Sequence, residues 1–559
     1  MKKDIYISDM YWKNIYLYIL FEGEETDSYH FYISNLKGKQ YPIQVKDRKC
    51  VLNVVNFPDV KLLENDKWYI MAEAEGQFHF VKIRPSCGYK LEQMDKVFRY
   101  GKEIYGYVLT FAVKDPSEIL TSMEQQNKGK LLNVEEEAEG QMVCAIHTTY
   151  MMKNRKNAKR NILIEAGSLK ELLKKAMFIV LKKGIDTAYH ILAAFRKKDG
   201  KHILLLSETR TPIGGNLKAL DDRMKERGLD QTYKISYSFS KTLQQSKWKT
   251  LLSWSRLLWM IPKQDFIFVD DYVPIFKTIH LKEDTTLVQL WHAGVGFKSV
   301  GYSRFGKTGS PLPLDSCHRQ YDYAIVGGKG LIHVYEEVFG IDPSQILPLG
   351  LARLDGYFDP EKMESYRKQF YEKYPQLKEK KIILFAPTYR GKGQADAYYP
   401  QEWIPQKQAY DMCGDEYVFA YKMHPFITEK IEIEPQYRER IIDLTSEGDI
   451  NSLFYVTEIL ITDFSSNIYE FSLQEKPIIF YAPDKDYYQL TRGVHRTLDE
   501  APGVVCTTFE AVDDTIRKKA FELEKIHDFV QESFDQQKKW SSDSLIDDII
   551  LKKVHSTSK

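Results

Sequence analysis

Thr462-Asp463-Phe464-Ser465-Ser466-Asn467-Ile468-Tyr469-Glu470 follows a short apolar run of strand length, Val456 to Ile461. It leads into Ile468 to Leu473, whose apolar spacing is that of an amphipathic helix, and Lys476-Pro477 closes that helix ahead of another apolar run, Ile478-Ile479-Phe480-Tyr481. The pattern is β-loop-α-β, with Asp463 and two serines opening the helix. An Asp or Ser at a helix start usually only caps free backbone N–H groups. Two adjacent hydroxyls beside free amides at a positive dipole end also suit a phosphate or pyrophosphate. By itself the segment indicates an anion site and nothing more.

Three further stretches have the same logic. Ile382-Ile383-Leu384-Phe385-Ala386-Pro387-Thr388-Tyr389-Arg390-Gly391-Lys392-Gly393 is a strand running into a basic, glycine-broken loop. Tyr417-Val418-Phe419-Ala420-Tyr421-Lys422-Met423-His424-Pro425-Phe426 is a strand ending in Lys and His before a proline. Leu287-Val288-Gln289-Leu290-Trp291-His292-Ala293-Gly294-Val295-Gly296-Phe297-Lys298 is another, ending in His and a loose turn. In open parallel sheets ligands bind beyond the carboxyl ends of strands. Four strands therefore deliver His292, Thr388, Arg390, Lys422, His424, Ser465 and Ser466 to such an edge. A lone His after a strand is more often structural; four polar strand ends together point to a site.

Composition sets bounds. The 559 residues imply roughly three or four domains, and 43% hydrophobic residues with 37 Tyr and 29 Phe suffice for large cores. A net charge of +1 leaves no global field to draw the chain onto nucleic acid. Six scattered cysteines without CxxC pairs argue against a zinc site or disulfide framework and fit a reducing cytoplasm. Met1-Lys2-Lys3-Asp4-Ile5 lacks the apolar core of a signal peptide, and no apolar run of about 18 residues is present to span a membrane.

Residues 1 to about 160 carry short alternating runs, such as Asn14 to Leu20, Tyr29 to Ile33 and Gln77 to Ile83. They predict an antiparallel β domain, a sandwich, with no catalytic constellation: an accessory module that binds acceptor polymer or mediates assembly, or equally a pure scaffold. The acidic stretch Asn133 to Gly140 is most simply expected to be a solvated loop. From about Gly167 to Asp199 the pattern is helical and basic, with Leu172, Leu173, Ala176, Met177, Ile179, Val180 and Leu181 among lysines. Lys247 to Met260 joins three tryptophans to basic residues. Such helices suit the interface of an anionic leaflet; the ordinary alternative is a helix packed on a sheet with a solvated lysine face.

Taken in order, Trp-His-Ala-Gly at 291–294, Ala-Pro-Thr-Tyr-Arg at 386–390, Lys-Met-His-Pro at 422–425 and Thr-Asp-Phe-Ser-Ser at 462–466 resemble the CDP-glycerol/CDP-ribitol phosphotransferases of teichoic acid synthesis. The resemblance runs from about Ser207 to the C-terminus. Phe268-Val269-Asp270-Asp271-Tyr272 and Ser299 to Gly309 resemble the poly(ribitol phosphate) polymerase branch, whereas poly(glycerol phosphate) polymerases usually carry Trp-His-Gly-Thr.

That resemblance implies an α/β fold: two Rossmann-type domains facing a cleft in the GT-B manner, preceded by the β-rich domain. The expected boundaries are 1–160, 168–355 for acceptor and membrane, and 356–559 for the CDP-polyol. It also implies a peripheral bacterial enzyme at the cytoplasmic face of the membrane, with a CDP-ribitol or CDP-glycerol donor, a lipid-linked polyol-phosphate acceptor and no nucleic acid. A homo-oligomer is admitted.

The implied chemistry is attack by a polyol hydroxyl on the polyol-bearing phosphorus, with CMP leaving. His292 is the general base the family implies. His424, expected to be catalytic with His292, is placed by the resemblance with Ser465 and Ser466 at the donor pyrophosphate, with Thr388, Arg390 and Lys422 in the same shell. Lys298 and Arg304 would meet acceptor phosphates, with a surface loop as the ordinary alternative. Asp463 either contacts donor or, more simply, caps the helix. The scheme requires no metal or cofactor, and the Asp270-Asp271 pair is expected to be structural or a strand-end cap. Two other functions fit parts of the pattern: a GT-B nucleotide-sugar glycosyltransferase, and a non-catalytic scaffold of a wall-assembly complex.

Overall fold

The computed structural model describes residues 5–552 apart from 24–28, 58–59, 101–104, 127–140, 153–168, 197, 242–246, 293–299, 307–310, 312–315, 392–395 and 493–495. Two compact units are present. The first comprises residues 1–184, 300–319 and 337–342; the second comprises 185–299, 320–336 and 343–559.

Among the described residues of the first unit twelve strands, β1–β12, run from Tyr6–Lys13 to Val143–Met152. Their sequences alternate, as in Tyr16–Glu22, where Leu17, Ile19 and Phe21 are buried and the residues between them are not. The expected two-sheet sandwich is replaced by one continuous hydrogen-bonded sheet. The cause is the ten-residue strand Val143–Met152, which pairs with Tyr105–Lys114 along its whole length and also with Asp66–Ala74 and Lys82. Residues 300–319, read from the sequence as part of the second domain, belong to this unit. Tyr302 and Phe305 are buried in its core with Trp68, Phe98 and Tyr107. Gly301 makes the entry possible: at φ +53 a Cβ would stand 2.1 Å from the Val338 carbonyl oxygen.

Among its described residues the second unit holds two parallel six-stranded sheets. One is built from β13 (His202–Ser207), β14 (Lys234–Phe239), β15 (Phe266–Val269), β16 (Thr286–Gln289), β17 (Tyr323–Val326) and β18 (Ile346–Pro348), in the order 14-13-15-16-17-18. The other is built from β19 (Lys381–Phe385), β20 (Tyr417–Tyr421), β21 (Ile441–Asp443), β22 (Thr457–Thr462), β23 (Ile478–Tyr481) and β24 (Val504–Cys506), in the order 21-20-19-22-23-24. Central strands such as Phe266–Val269 and Ile478–Tyr481 are buried throughout, as strands covered by helices on both faces must be. Each sheet reverses its strand order once, between β13 and β15 and between β19 and β22. Crevices for ligands form outside the strand ends at such points.

The C-terminus returns to the first parallel sheet. Leu545, Ile546, Ile549 and Ile550 share a core with Ile203, Leu205, Phe266 and Phe268. Residues 541–551 thus leave the second sheet, to which the sequence assigned everything after 356.

Candidate active site

His292 is the third residue beyond β16, after Leu290 and Trp291, and its position is set by buried amides. Gln289, fully buried, accepts the Trp291 N–H at 2.8 Å on Oε1 and donates from Nε2 to the Asp271 carbonyl at 3.1 Å and the Tyr321 hydroxyl at 2.8 Å. Asn216, in the helix Gly215–Glu226, donates to the carbonyls of Leu290 (2.9 Å) and Trp291 (2.8 Å) and accepts the Arg353 N–H. These clamps hold Trp291 at φ +55, a conformation costly for an aromatic residue, and turn the His292 ring out of the strand. The side chain is 35% exposed and packs on Trp291 with centroids 4.6 Å apart.

The ring's Nδ1 lies 3.1 Å from the Asp270 carbonyl oxygen and 3.5 Å from Asp271 Oδ2. A carbonyl can only accept, so Nδ1 carries the proton and Nε2 of the neutral ring presents a lone pair. Behind it the Asp270 carboxylate is buried, with Arg210 at 3.1 Å across the switch point between β13 and β15. Burial raises the Asp270 carboxyl above its usual range, and Arg210 opposes that rise.

At the second sheet the switch point between β19 and β22 is occupied by a buried charge cluster. Asp463, fully buried, accepts from the N–H groups of Thr388 and Phe464, both at 2.7 Å, and from Arg390 Nη1 at 2.8 Å. Arg390 also donates to the Thr388 carbonyl and makes a two-pronged pair with Asp484, 2.8 and 2.7 Å. Burial works against its charge, yet Asp463 and Asp484 prevail and hold its pKa above the ordinary value. The rings of Tyr488, Tyr399 and Trp403 surround the guanidinium at 4.9, 5.5 and 5.4 Å.

Asp463 therefore caps no helix. The helix here is only Ile468–Ser472, its N-cap is Asn467, and the cap makes no side-chain bond. The first-turn dipole invoked from the sequence shrinks accordingly. Ser465 and Ser466 lie half-buried in the intervening turn, where Ser465 Oγ accepts the Asn467 N–H at 3.3 Å.

His424 stands beside the loop that follows β19, its ring 4.8 Å from those of Tyr389 and Phe426. Its Nδ1 accepts the Phe426 N–H at 3.1 Å, so the neutral ring carries its proton on Nε2. His292 and His424 are thus fixed in opposite tautomers, one as an acceptor and the other as a donor. Lys422 points inward: Nζ donates to the carbonyls of Thr445, Glu447 and Gly448, and burial lowers its pKa despite nearby Glu447, Asp449 and Asp443.

The structure thus brings Thr388, Arg390 and Asp463 together, sets His424 against the neighbouring Tyr389, and assigns Thr388, Arg390 and Lys422 bonds to the protein itself. Arg304 lies in the short helix Gly301–Arg304 of the first unit. Lys298 lies outside the described residues. Gln289, Asn216, Arg210 and Asp484 escaped the sequence reading. Only Gln289, a polar residue inside an apolar strand, gave a signal.

In the second unit a surface of another character is formed by the helix Lys247–Met260 and the end of Leu169–Ala194. Phe195, Leu252 and Trp259 are 83%, 68% and 62% exposed, and the Arg196 guanidinium lies 4.3 Å over the Trp259 ring. Leu172, Leu173, Ala176, Met177 and Ile179 of the longer helix, and Trp248, have side chains outside the described set. No helix among the described residues is long and apolar enough to cross a membrane.

Residues 188–551 match the family model described as CDP-Glycerol:Poly(glycerophosphate) glycerophosphotransferase. The teichoic acid ribitol-phosphate polymerase TarL of Staphylococcus aureus is 27% identical over 98% of this chain and 99% of its own length. TarK of the same organism, also a teichoic acid ribitol-phosphate polymerase, is 34% identical over 65% of this chain and 70% of its own. Among solved structures, the wall teichoic acid polymerase TagF superposes with a TM-score of 0.53 at 19% identity, over 70% of this chain and 98% of that one, which establishes a shared fold.

Proposed function

We propose, since the chain belongs to the CDP-glycerol:poly(glycerophosphate) glycerophosphotransferase family, that it moves ribitol phosphate from CDP-ribitol to the terminal hydroxyl of a lipid-linked polyol-phosphate acceptor, releasing CMP. The observation that carries the reading is the tautomer of His292. With Nδ1–H held by the Asp270 carbonyl, Nε2 is set to take a proton. The acceptor hydroxyl oxygen bonds to the ribitol-bearing phosphorus as its proton passes to Nε2. The bond from that phosphorus to the CMP oxygen breaks, and its electron pair leaves with CMP.

Charge growing on the phosphoryl oxygens needs fixed donors. His424, whose proton sits on Nε2, and the hydroxyls of Ser465 and Ser466 supply them. Asp463, Thr388, Arg390 and Lys422 serve behind that shell by holding the loops that carry it. Lys298 and Arg304 are the cations assigned to acceptor phosphates. The reading places the two parallel sheets in a GT-B arrangement, with donor and acceptor meeting between their carboxyl edges. The protein binds the cytoplasmic leaflet as a peripheral enzyme, with Phe195, Leu252 and Trp259 entering the interface and Arg196 meeting lipid phosphates.

The test is CMP release from CDP-ribitol or CDP-glycerol with a short lipid-linked acceptor, with the products sized. Release from CDP-ribitol with a ladder of lengthening products supports a ribitol-phosphate polymerase. A single added unit makes it a primase, and preference for CDP-glycerol moves it to the glycerol branch. No CMP from either donor overturns the proposal.

A further inference from the structure

We propose that Asp271 is the electrostatic partner of His292, stabilising the imidazolium that the ring becomes while the Asp270 carbonyl orients it; this rests on the reading of His292 as the base. The Asp270-Asp271 pair lies directly after β15, whose end neighbours that of β16. The two carboxylates have separate surroundings. Asp270 turns inward to Arg210 and is buried. Asp271 turns outward, with Oδ1 accepting the Tyr272 N–H at 2.6 Å and Oδ2 lying 3.5 Å from His292 Nδ1.

At 3.5 Å the Asp271–imidazole contact is too long for a good hydrogen bond, and the Asp270 carbonyl at 3.1 Å already sets the tautomer. What the carboxylate adds is charge. It is of little use to the neutral ring and favourable once Nε2 has taken a proton, which is the requirement for lowering a barrier rather than tightening binding. The spacing is also fixed: Gln289 Nε2 holds the Asp271 carbonyl while Gln289 Oε1 holds the Trp291 N–H, so one buried side chain ties both turns. Among the described residues, the charged groups assigned to this ring are Asp270, with its partner Arg210, and Asp271.

The test uses the full chain with CDP-ribitol and lipid-linked acceptor, comparing Asp271→Asn, Asp271→Glu, Asp271→Ser and His292→Ala. Asp271→Asn should lower kcat on the order of tenfold to a hundredfold, with KM for CDP-ribitol within about twofold. Its acidic limb of kcat against pH should move to lower pH, because the imidazolium loses its counter-charge. Asp271→Glu should recover part of kcat. Asp271→Ser, which keeps an acceptor for the Tyr272 N–H, should reproduce the Asn result at a wild-type melting temperature and so exclude misfolding. Wild-type kcat and pH profile in Asp271→Asn or Asp271→Ser, with His292→Ala inactive, overturns the role of Asp271 alone. Wild-type turnover in His292→Ala overturns the base assignment and this proposal with it.

Discussion

His292 and His424 are distinguished by what meets Nδ1: a carbonyl oxygen in one, a backbone N–H in the other. A glutamine can imitate a histidine that donates from Nε2, but it cannot imitate a base. His424→Gln should therefore keep more turnover than His424→Ala, whereas His292→Gln and His292→Ala should be equally poor, each down roughly 10²- to 10⁴-fold in kcat. Steady-state CMP release checks this, and a His292→Gln variant as active as wild type contradicts it. Arg390 makes a different prediction. Its bonds to Asp463 and Asp484 are buried, so Arg390→Ala strands two carboxylates and should cost about 3–5 kcal/mol of stability. Arg390→Lys should not restore it, because an ammonium cannot reproduce the two-pronged pair. Urea unfolding decides; an unchanged midpoint with a raised KM for the donor would put Arg390 at the substrate instead. The residue types at both sites were visible as polar punctuation after apolar runs. Which of them face ligand and which face protein was not, because Arg390 and Lys422 look like phosphate ligands until the carboxylates that hold Arg390, 73 and 94 positions away, and the carbonyls that hold Lys422, 23 to 26 positions away, are known.

Asp355 shows how an element far along the chain is held. Its carboxylate accepts the N–H groups of Ser541 (2.9 Å) and Ser542 (3.2 Å) and the Ser542 hydroxyl (2.6 Å), docking the helix Ser541–Leu545 and the turns after it on the first parallel sheet. Burial raises this carboxyl to about 6, even though the three donors favour its charged form. An acid whose folded pKa lies above its unfolded value binds its proton more tightly when folded. Its contribution is therefore fully present at low pH and is lost as pH rises from about 4 to about 6, a change of about 3 kcal/mol. The difference in unfolding free energy between wild type and Asp355→Asn, followed over that range, should show this slope. A difference independent of pH would contradict it. Central strands were legible to within a residue or two because burial on both faces leaves them nothing but apolar residues. The strands Lys234–Phe239, Ile346–Pro348, Ile441–Asp443 and Val504–Cys506 escaped notice: all lie on sheet edges, three are only three residues long, and the fourth carries polar residues on half-exposed faces.

At the scale of the molecule, the β-rich first unit is completed by chain from beyond residue 299, which no periodicity in the sequence could disclose. Tyr302 is fully buried there, Phe305 stacks on Phe98 and Tyr100 at 5.3 and 5.9 Å, and Arg319 is taken up by Tyr302, Asn56, the Gly340 carbonyl and the Val55 carbonyl. Burial lowers the pKa of Arg319, so its charge is kept at a cost that these acceptors offset. An accessory module joined by a simple tether could be removed without harm to the remainder. Here, deleting residues 1–160 would uncover Tyr302 and Phe305, each worth about 1.5–3 kcal/mol of burial, and would take Val55 and Asn56 from Arg319. The segment exposed in this way follows directly on the residues after His292. The shortened chain should therefore aggregate or melt well below the full protein and lose turnover. Replacing Tyr302 and Phe305 by serine in that shortened chain should improve its solubility without restoring CMP release. A soluble, fully active chain lacking residues 1–160 would mean that the 300–319 segment holds its conformation unaided, and would make the first unit a dispensable attachment rather than part of the enzyme's framework.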